Sequence, residues 1–141
     1  IKPGSHSGVA LHKGKYLICL PGNPAACAVG YHLLASPVLR VLQGMDPYPQ
    51  RIQATCTSPF PKHSKGRRFI RAYAYCNEEG WQVSVLPGQK SSMLRALLYY
   101  NALIDVPAGH SPLKVGEEVS VLLNHSCELP QDEQIAPNVG T

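Results

Sequence analysis

The sequence predicts an α+β fold in which a strand–helix piece of an α/β domain is followed by a small, mostly antiparallel β-barrel-like domain. A short apolar run at residues 16–20 passes through a Pro-Gly turn into a long helical pattern. Short segments of alternating polar and apolar residues follow from residue 51 onward. Residues 44–50, GMDPYPQ, separate the two parts with two prolines. We therefore place domains at 1–45 and 46–125, and a disordered tail at 126–141.

The first element is the strand and turn that precede the helix. The nearly continuous apolar run at residues 16–20 is typical of a strand covered on both faces, as in a parallel sheet. Pro21 and Gly22 then turn the chain, and Gly22 permits a positive φ. Asn23 can cap a helix that begins at Pro24, where the missing N–H of proline costs nothing.

The helical pattern runs from Pro24 to about Gln43. Ser36-Pro37 lies inside it and predicts a kink or break, because proline removes one helical hydrogen bond. A helix that starts at the carboxyl end of a strand in an open α/β sheet can bind an anion. A purely structural turn is the commoner explanation of such a pattern, so both interpretations stay open.

The second part of the chain predicts a small barrel or folded sheet. Alternation and turn residues indicate strands at residues 51–57, 68–76, 81–86, 102–106 and 118–123. The polar turn at residues 77–80 joins the second and third of these as a hairpin. Between strands, Ser91 or Ser92 can cap a short helix that carries Met93, Leu94, Leu97 and Leu98 and ends near Asn101.

The composition of the 141 residues is that of a globular protein, with 44% hydrophobic and 16% charged residues. No uninterrupted apolar run of about 18 residues occurs, so we expect no transmembrane helix and no contact with a membrane. The first residues lack the apolar core of a signal peptide. Five cysteines form no C-x-x-C pair, which indicates reduced thiols and a cytoplasmic location.

The formal charge of +4 is unevenly distributed along the chain. Residues 51–95 contain eight Lys or Arg against two Glu, whereas residues 117–141 contain five acidic residues and no Lys or Arg. The middle of the chain therefore carries a cationic surface that could attract anionic ligands. No pair of carboxylates and no Ser/His/Asp arrangement is spaced for catalysis, so we assign neither a catalytic residue nor a metal ligand.

Three stretches resemble one family. LPGNPAAC with the helix ending SPVLRVLQG, the segment GQKSSML, and the closing KVGEEVSVLL are similar to the MoeA and gephyrin-E family of molybdopterin molybdenumtransferases. The sequence departs from the family pattern at Cys19, where the family has Gly, and at Ser36, where it has Arg. The similar stretches span most of residues 2–123.

The resemblance implies a substrate-binding set drawn from four places in the chain. These are Lys2, Gly4 and Ser5 of the first turn; Pro21, Gly22, Asn23 and Pro24 of the loop; Gly88, Lys90, Ser91 and Ser92 at the short helix; and Arg68 of the basic run formed by Lys62, His63, Lys65, Arg67 and Arg68. By residue type alone, each of these groups is more often a solvated turn than a binding site. Through the resemblance they are expected to hold adenylylated molybdopterin and molybdate.

The resemblance also implies the reaction of the whole protein, which is insertion of molybdate into the dithiolene of adenylylated molybdopterin with release of AMP. In the family, Mg²⁺ is held by acidic residues upstream of a K-P-G turn, which corresponds to residues 2–4 here. The active site lies between domains of two subunits of a homodimer. The present segment is therefore expected to supply binding groups and to be inactive by itself.

The sequence leaves two other functions open. The segment could be a protein-interaction module, as the equivalent region of gephyrin is. It could also be a basic nucleic-acid-binding barrel that uses Tyr73, Tyr75 and Trp81. Those aromatic residues alternate as core residues do and no RNA-binding motif is present, so we expect no nucleic acid as partner.

Overall fold

The computed structural model describes residues 1–86 and 99–124, which form a hairpin, a long helix and a closed barrel of five strands. The hairpin consists of β1 (Gly8–His12) and β2 (Lys15–Cys19), and the helix of α1 (Pro24–Gly30), a π-helical segment (Tyr31–Ala35) and α2 (Ser36–Leu42). The barrel strands are β3 (Arg51–Cys56), β4 (Arg68–Asn77), β5 (Gly80–Val85), β6 (Ala102–Val106) and β7 (Glu118–Leu123).

The strand predicted at residues 16–20 is present, but the buried parallel sheet expected around it is not found within residues 1–86 and 99–124. β2 pairs antiparallel with β1, and most residues of both strands are exposed. Lys13 (φ 47°) and Gly14 (φ 74°) form the two-residue turn between them, which is the conformation that suits a tight hairpin. An apolar run shows a preference for burial, but it does not specify the direction of the neighbouring strand.

The helix begins and bends as the sequence predicts. The side chain of Asn23 caps it, and Pro24 occupies its first turn. The irregularity expected at Ser36-Pro37 is a π-helical segment just before the proline, in which the N–H of Ser36 reaches back to the carbonyl of Tyr31. The wider turn accommodates a proline that would clash with a regular α-helical turn.

The continuous helix Pro24–Leu42 has the length and composition of a membrane-crossing segment, although the sequence led us to expect none. Our expectation counted only uninterrupted apolar residues, whereas the 19-residue helix carries a single formal charge, at Arg40. A helix that covers a protein core has the same composition. Val29, which is completely buried, makes that kind of contact.

The predicted barrel is confirmed. Its strands follow the order β3-β5-β4-β6-β7 and close through β7 and β3. Every neighbouring pair is antiparallel except β3 and β5, which run parallel from Thr55–Gln82 to Cys56–Val83. The predicted hairpin of β4 and β5 turns at Glu78-Glu79, with Asn77 opposite Gly80.

Alternation along the strands fills the barrel interior as predicted. Ala54 and Cys56 are buried on the inner side of β3, and Ile52 packs against the same cluster. The other buried members are Phe60, Ile70, Ala72, Ala74, Val83, Ala102, Ile104, Val106, Leu113, Val119 and Val121. Alanine recurs on several strands, because a barrel of five strands leaves little room at its axis.

The long helix packs against the outside of the barrel through a second apolar cluster. Val29 contacts Phe69, Leu103 and Leu122, which point outward from β4, β6 and β7, with Leu33 at the edge. Because outward residues on strands normally face water, this packing explains why β4 and β6 are buried on both faces. The contact fixes the helix, and the loop before it, relative to the barrel.

The connection predicted at residues 44–50 contains neither helix nor strand. Gly44 adopts φ 71° directly after the helix, and the side chain of Asp46 accepts a hydrogen bond from the N–H of Tyr48. The division of the chain at residue 45 remains a prediction. The short helix after Ser92 and the tail at 126–141 lie outside the described residues.

Asn101 completes the β4 ladder where strand β6 has not yet begun. Its side chain accepts a hydrogen bond from the N–H of Ala74 at 2.7 Å and donates one to the carbonyl of Ala74 at 2.8 Å. Both residues are buried. The amide therefore substitutes for a residue of a neighbouring strand.

We predict that Asn101→Ala lowers the free energy of unfolding by about 2–4 kcal/mol, because it leaves a buried N–H and a buried carbonyl without partners. Urea titration followed by the fluorescence of Trp81 measures this change. The control is Asn77→Ala at the exposed hairpin turn, where we expect a loss of about 1 kcal/mol or less. Equal losses for the two variants would contradict the assigned role of Asn101.

Candidate functional site

Lys2 lies beside Arg68, although 65 residues separate them in the chain. The N–H of Lys2 donates to the carbonyl of Arg67 at 3.0 Å, and the N–H of Phe69 donates to the carbonyl of Lys2 at 2.8 Å. Residue 2 thus pairs in parallel with the start of β4. This backbone pairing places two cationic residues that are far apart in the sequence, Lys2 and Arg68, side by side.

The turn after Lys2 lies against the long helix at Gly30, the last residue of α1. The N–H of Ser7 donates to the carbonyl of Gly4, and Gly4 has φ 110°, which favours glycine. A Cβ on Gly30 would lie 2.9 Å from Leu20 Cδ2 and 3.4 Å from Ser7 Oγ. Gly30 therefore permits the close approach that joins the turn at residues 2–7 to the loop after β2. Sequence analysis missed Gly30, whose only signal is a glycine within a helical pattern.

The loop of Pro21, Gly22, Asn23 and Pro24 has the predicted cap but not the predicted backbone conformation at Gly22. Asn23 Oδ1 accepts hydrogen bonds from the N–H groups of Ala25 and Ala26, each at 3.1 Å. Gly22 does not adopt a positive φ, so that expectation is wrong. No described atom outside its chain neighbours lies within 4 Å of the position a Cβ would occupy on Gly22. The space over Gly22 is open, and its glycine is not required by the turn.

Arg68 is half-buried, and its guanidinium lies 5.6 Å from the ring centre of Phe60. Its Nε is buried and has no hydrogen-bond partner within the described part of the chain. A buried guanidinium N–H without a partner is costly unless a ligand or another group completes it. Lys62, His63 and Lys65 in the preceding loop are exposed.

Arg71 lies within the stretch 51–95 that was expected to carry a cationic surface, but it is not exposed. Only 2% of its surface is accessible, within strand β4. Burial lowers the pKa of Arg71, and the nearby Tyr100 opposes that change. Burial likewise raises the pKa of the Tyr100 hydroxyl. The alternation of β4 placed Arg71 on the outer face, and packing against that face, which the sequence does not show, removes it from solvent.

Asp105 forms an ion-pair network that sequence analysis did not find. Its carboxylate accepts hydrogen bonds from Arg67 Nε at 2.8 Å and Arg67 Nη2 at 2.7 Å, and a third from Arg51 Nη1 at 2.8 Å. Arg51 Nη1 also donates to Ser120 Oγ at 2.7 Å. The hydrogen bonds from Arg67 hold the pKa of Asp105 below its ordinary value, with a smaller effect from Arg51. The only sequence signal was a single acid within the apolar strand ALIDV.

Residues 1–86 and 99–124 contain no group of three or more His, Cys, Asp or Glu side chains that could hold a metal ion. The described residues therefore do not fit an Mg²⁺ site, and we assign no step to a metal here. Gly88, Lys90, Ser91 and Ser92, the remaining predicted binding residues, lie outside the described residues.

The barrel and its attached helix define the class of the chain. Residues 53–123 match the family model for the MoeA C-terminal region, domain IV. The chain has the fold of a molybdopterin biosynthesis MoeA protein from Pyrococcus horikoshii, with TM-score 0.68 and 25% identity over 86% of the chain and 29% of that protein. A molybdenum cofactor biosynthesis protein from Pyrococcus furiosus has the same fold, with TM-score 0.65 and 24% identity over 87% of the chain and 42% of that protein.

The chain belongs to the MoeA family of molybdenum cofactor biosynthesis proteins, as the sequence resemblance predicted. It is 35% identical over 127 residues to a molybdopterin molybdenumtransferase of Staphylococcus aureus, strain Mu50. It is 39% identical over 126 residues to the protein of that name in Staphylococcus epidermidis, strain RP62A. Each alignment covers 89% of the chain, which spans about 30% of the length of these relatives.

We predict that the Asp105 network stabilises the fold above the ordinary aspartate pKa of about 3.9 and that this contribution is lost as the pH falls through the lower pKa of the folded state. The sign follows because the unfolded chain takes up the proton first. Urea unfolding of the original protein and Asp105→Asn measures the contribution as their difference in unfolding free energy. We expect a constant difference between pH 7 and about pH 5, and a smaller one near pH 3. A difference that stays constant down to pH 3 would contradict this account.

Proposed function

We propose that the chain is the C-terminal part of a molybdopterin molybdenumtransferase, which inserts molybdate into adenylylated molybdopterin and releases AMP. The carrying observation is the pairing of Lys2 with Arg68, followed by a turn whose Ser7 lies with Leu20 and Pro21 at the close approach to Gly30. Membership in the MoeA family and the names of the relatives support the reaction class.

The site residues would act by binding and orienting an anionic substrate. Lys2 and Arg68 supply positive charge that attracts a phosphate or molybdate oxygen. The open space over Gly22 lets such an oxygen approach the start of the helix, which favours negative charge. Since Asn23 Oδ1 is engaged by two backbone N–H groups, Asn23 holds the helix start in place.

The proposal assigns the remaining requirements to the rest of the protein. Mg²⁺ would be held by acidic residues upstream of Lys2, and the second half of the site would come from the other subunit of a homodimer. Gly88, Lys90, Ser91 and Ser92 would contribute further anion contacts. By this proposal, residues 1–141 alone bind no metal for catalysis and do not turn over substrate.

We predict that Lys2→Ala in the full-length protein lowers the affinity for adenylylated molybdopterin about tenfold, through loss of a charged contact. Calorimetric titration with the metal chelated measures binding without turnover. Lys15→Ala is the matched control, because Lys15 is an exposed lysine of the adjacent hairpin. Equal affinities for Lys2→Ala and Lys15→Ala would overturn the assignment of Lys2 to the site.

A further inference from the structure

We infer that Asp105 is a positioning residue that sets the binding conformation of Lys2 through Arg67. The inference rests on the proposed function of Lys2, and it adds a residue that is not part of the predicted binding set. Asp105 does not contact Lys2 directly. Its effect passes through one side chain and one backbone hydrogen bond.

The first link is the carboxylate of Asp105 and the guanidinium of Arg67. Two parallel hydrogen bonds, at 2.8 and 2.7 Å, join them in the geometry that fixes an arginine most firmly. The guanidinium carbon also lies 5.3 Å from the ring centre of Phe69. The side chain of Asp105 is only 7% exposed, so water competes little for these bonds.

The second link is the backbone of Arg67. This residue immediately precedes β4, and its carbonyl accepts the hydrogen bond from the N–H of Lys2 at 3.0 Å. The carbonyl of Lys2 is held in turn by the N–H of Phe69. A shift of the Arg67 peptide would therefore displace Lys2, since these two bonds tie residue 2 to the barrel.

Arg51 makes the carboxylate essential to this arrangement. Arg51, on β3, shares Asp105 Oδ2 with Arg67. It also donates a hydrogen bond to Ser120 on the neighbouring strand β7. Without a carboxylate the two guanidinium groups, which are 47% and 54% exposed, would repel one another. Arg67 would then be the group released, because Arg51 keeps its bond to Ser120 and its place in the sheet.

The test is a double-mutant cycle in the full-length protein, with adenylylated molybdopterin as the probe and the metal chelated. Asp105→Asn is measured alone and together with Lys2→Ala. We expect Asp105→Asn to lower affinity about threefold to tenfold in the original protein and less than twofold when Lys2 is already Ala. A merely structural role would give the same loss in both backgrounds.

Two further variants keep the test decisive. Arg67→Gln breaks the same link from the other side and should show the same dependence on Lys2, even if Asp105→Asn folds poorly. Glu117→Gln removes the negative charge that faces His110 at 2.9 Å, away from the Asp105 network, and it should leave affinity unchanged. Equal losses for Asp105→Asn or Arg67→Gln with and without Lys2 would overturn the inference.

The outcomes also separate this inference from the proposed function. If Lys2→Ala weakens binding and Asp105→Asn does not, the inference is wrong and the proposed function stands. If Lys2→Ala itself has no effect, the inference fails together with the assignment of Lys2 to the site. Only a loss for Asp105→Asn that depends on Lys2 supports the inference.

Discussion

The packing of Val29 against Phe69, Leu103 and Leu122 is the contact on which the arrangement of the chain depends. Burying a side chain of this kind contributes about 1.5–3 kcal/mol, and here it joins the long helix to the outer face of the barrel. Leu33 at the edge of the same cluster and the edge-on contact of the His32 and Tyr100 rings, 5.6 Å apart, reinforce this attachment. The relative position of the loop before the helix and the basic side chains on the barrel follows from it.

Electrostatics then distinguish the cations around the start of β4. Asp105 neutralises part of the charge of Arg51 and Arg67, while Lys2 and Arg68 have no carboxylate partner within residues 1–86 and 99–124. Under the proposed function, the cations bound to Asp105 organise the strand ends, whereas Lys2 and Arg68 are the cations that would meet an anionic ligand.

Local signals predicted most of the fold. The cap at Asn23, the disturbance before Pro37 and the five barrel strands each follow from a few adjacent residues. The sequence could not reveal that β2 pairs with β1, that Gly30 meets Leu20, or that packing buries Arg71. These features depend on contacts between distant residues, and the same is true of the Arg51–Asp105–Arg67 network.

The proposed function requires the loop before the long helix to bind substrate, and Gly22→Ala in the full-length protein separates that role from a purely structural turn. Gly22 has no positive φ and no described atom outside its chain neighbours within 4 Å of a Cβ position, so alanine fits without strain. If the loop binds substrate, we expect an unchanged melting temperature and about tenfold weaker binding of adenylylated molybdopterin, because the methyl group would occupy the approach to the helix start. Unchanged affinity in the folded variant would contradict it.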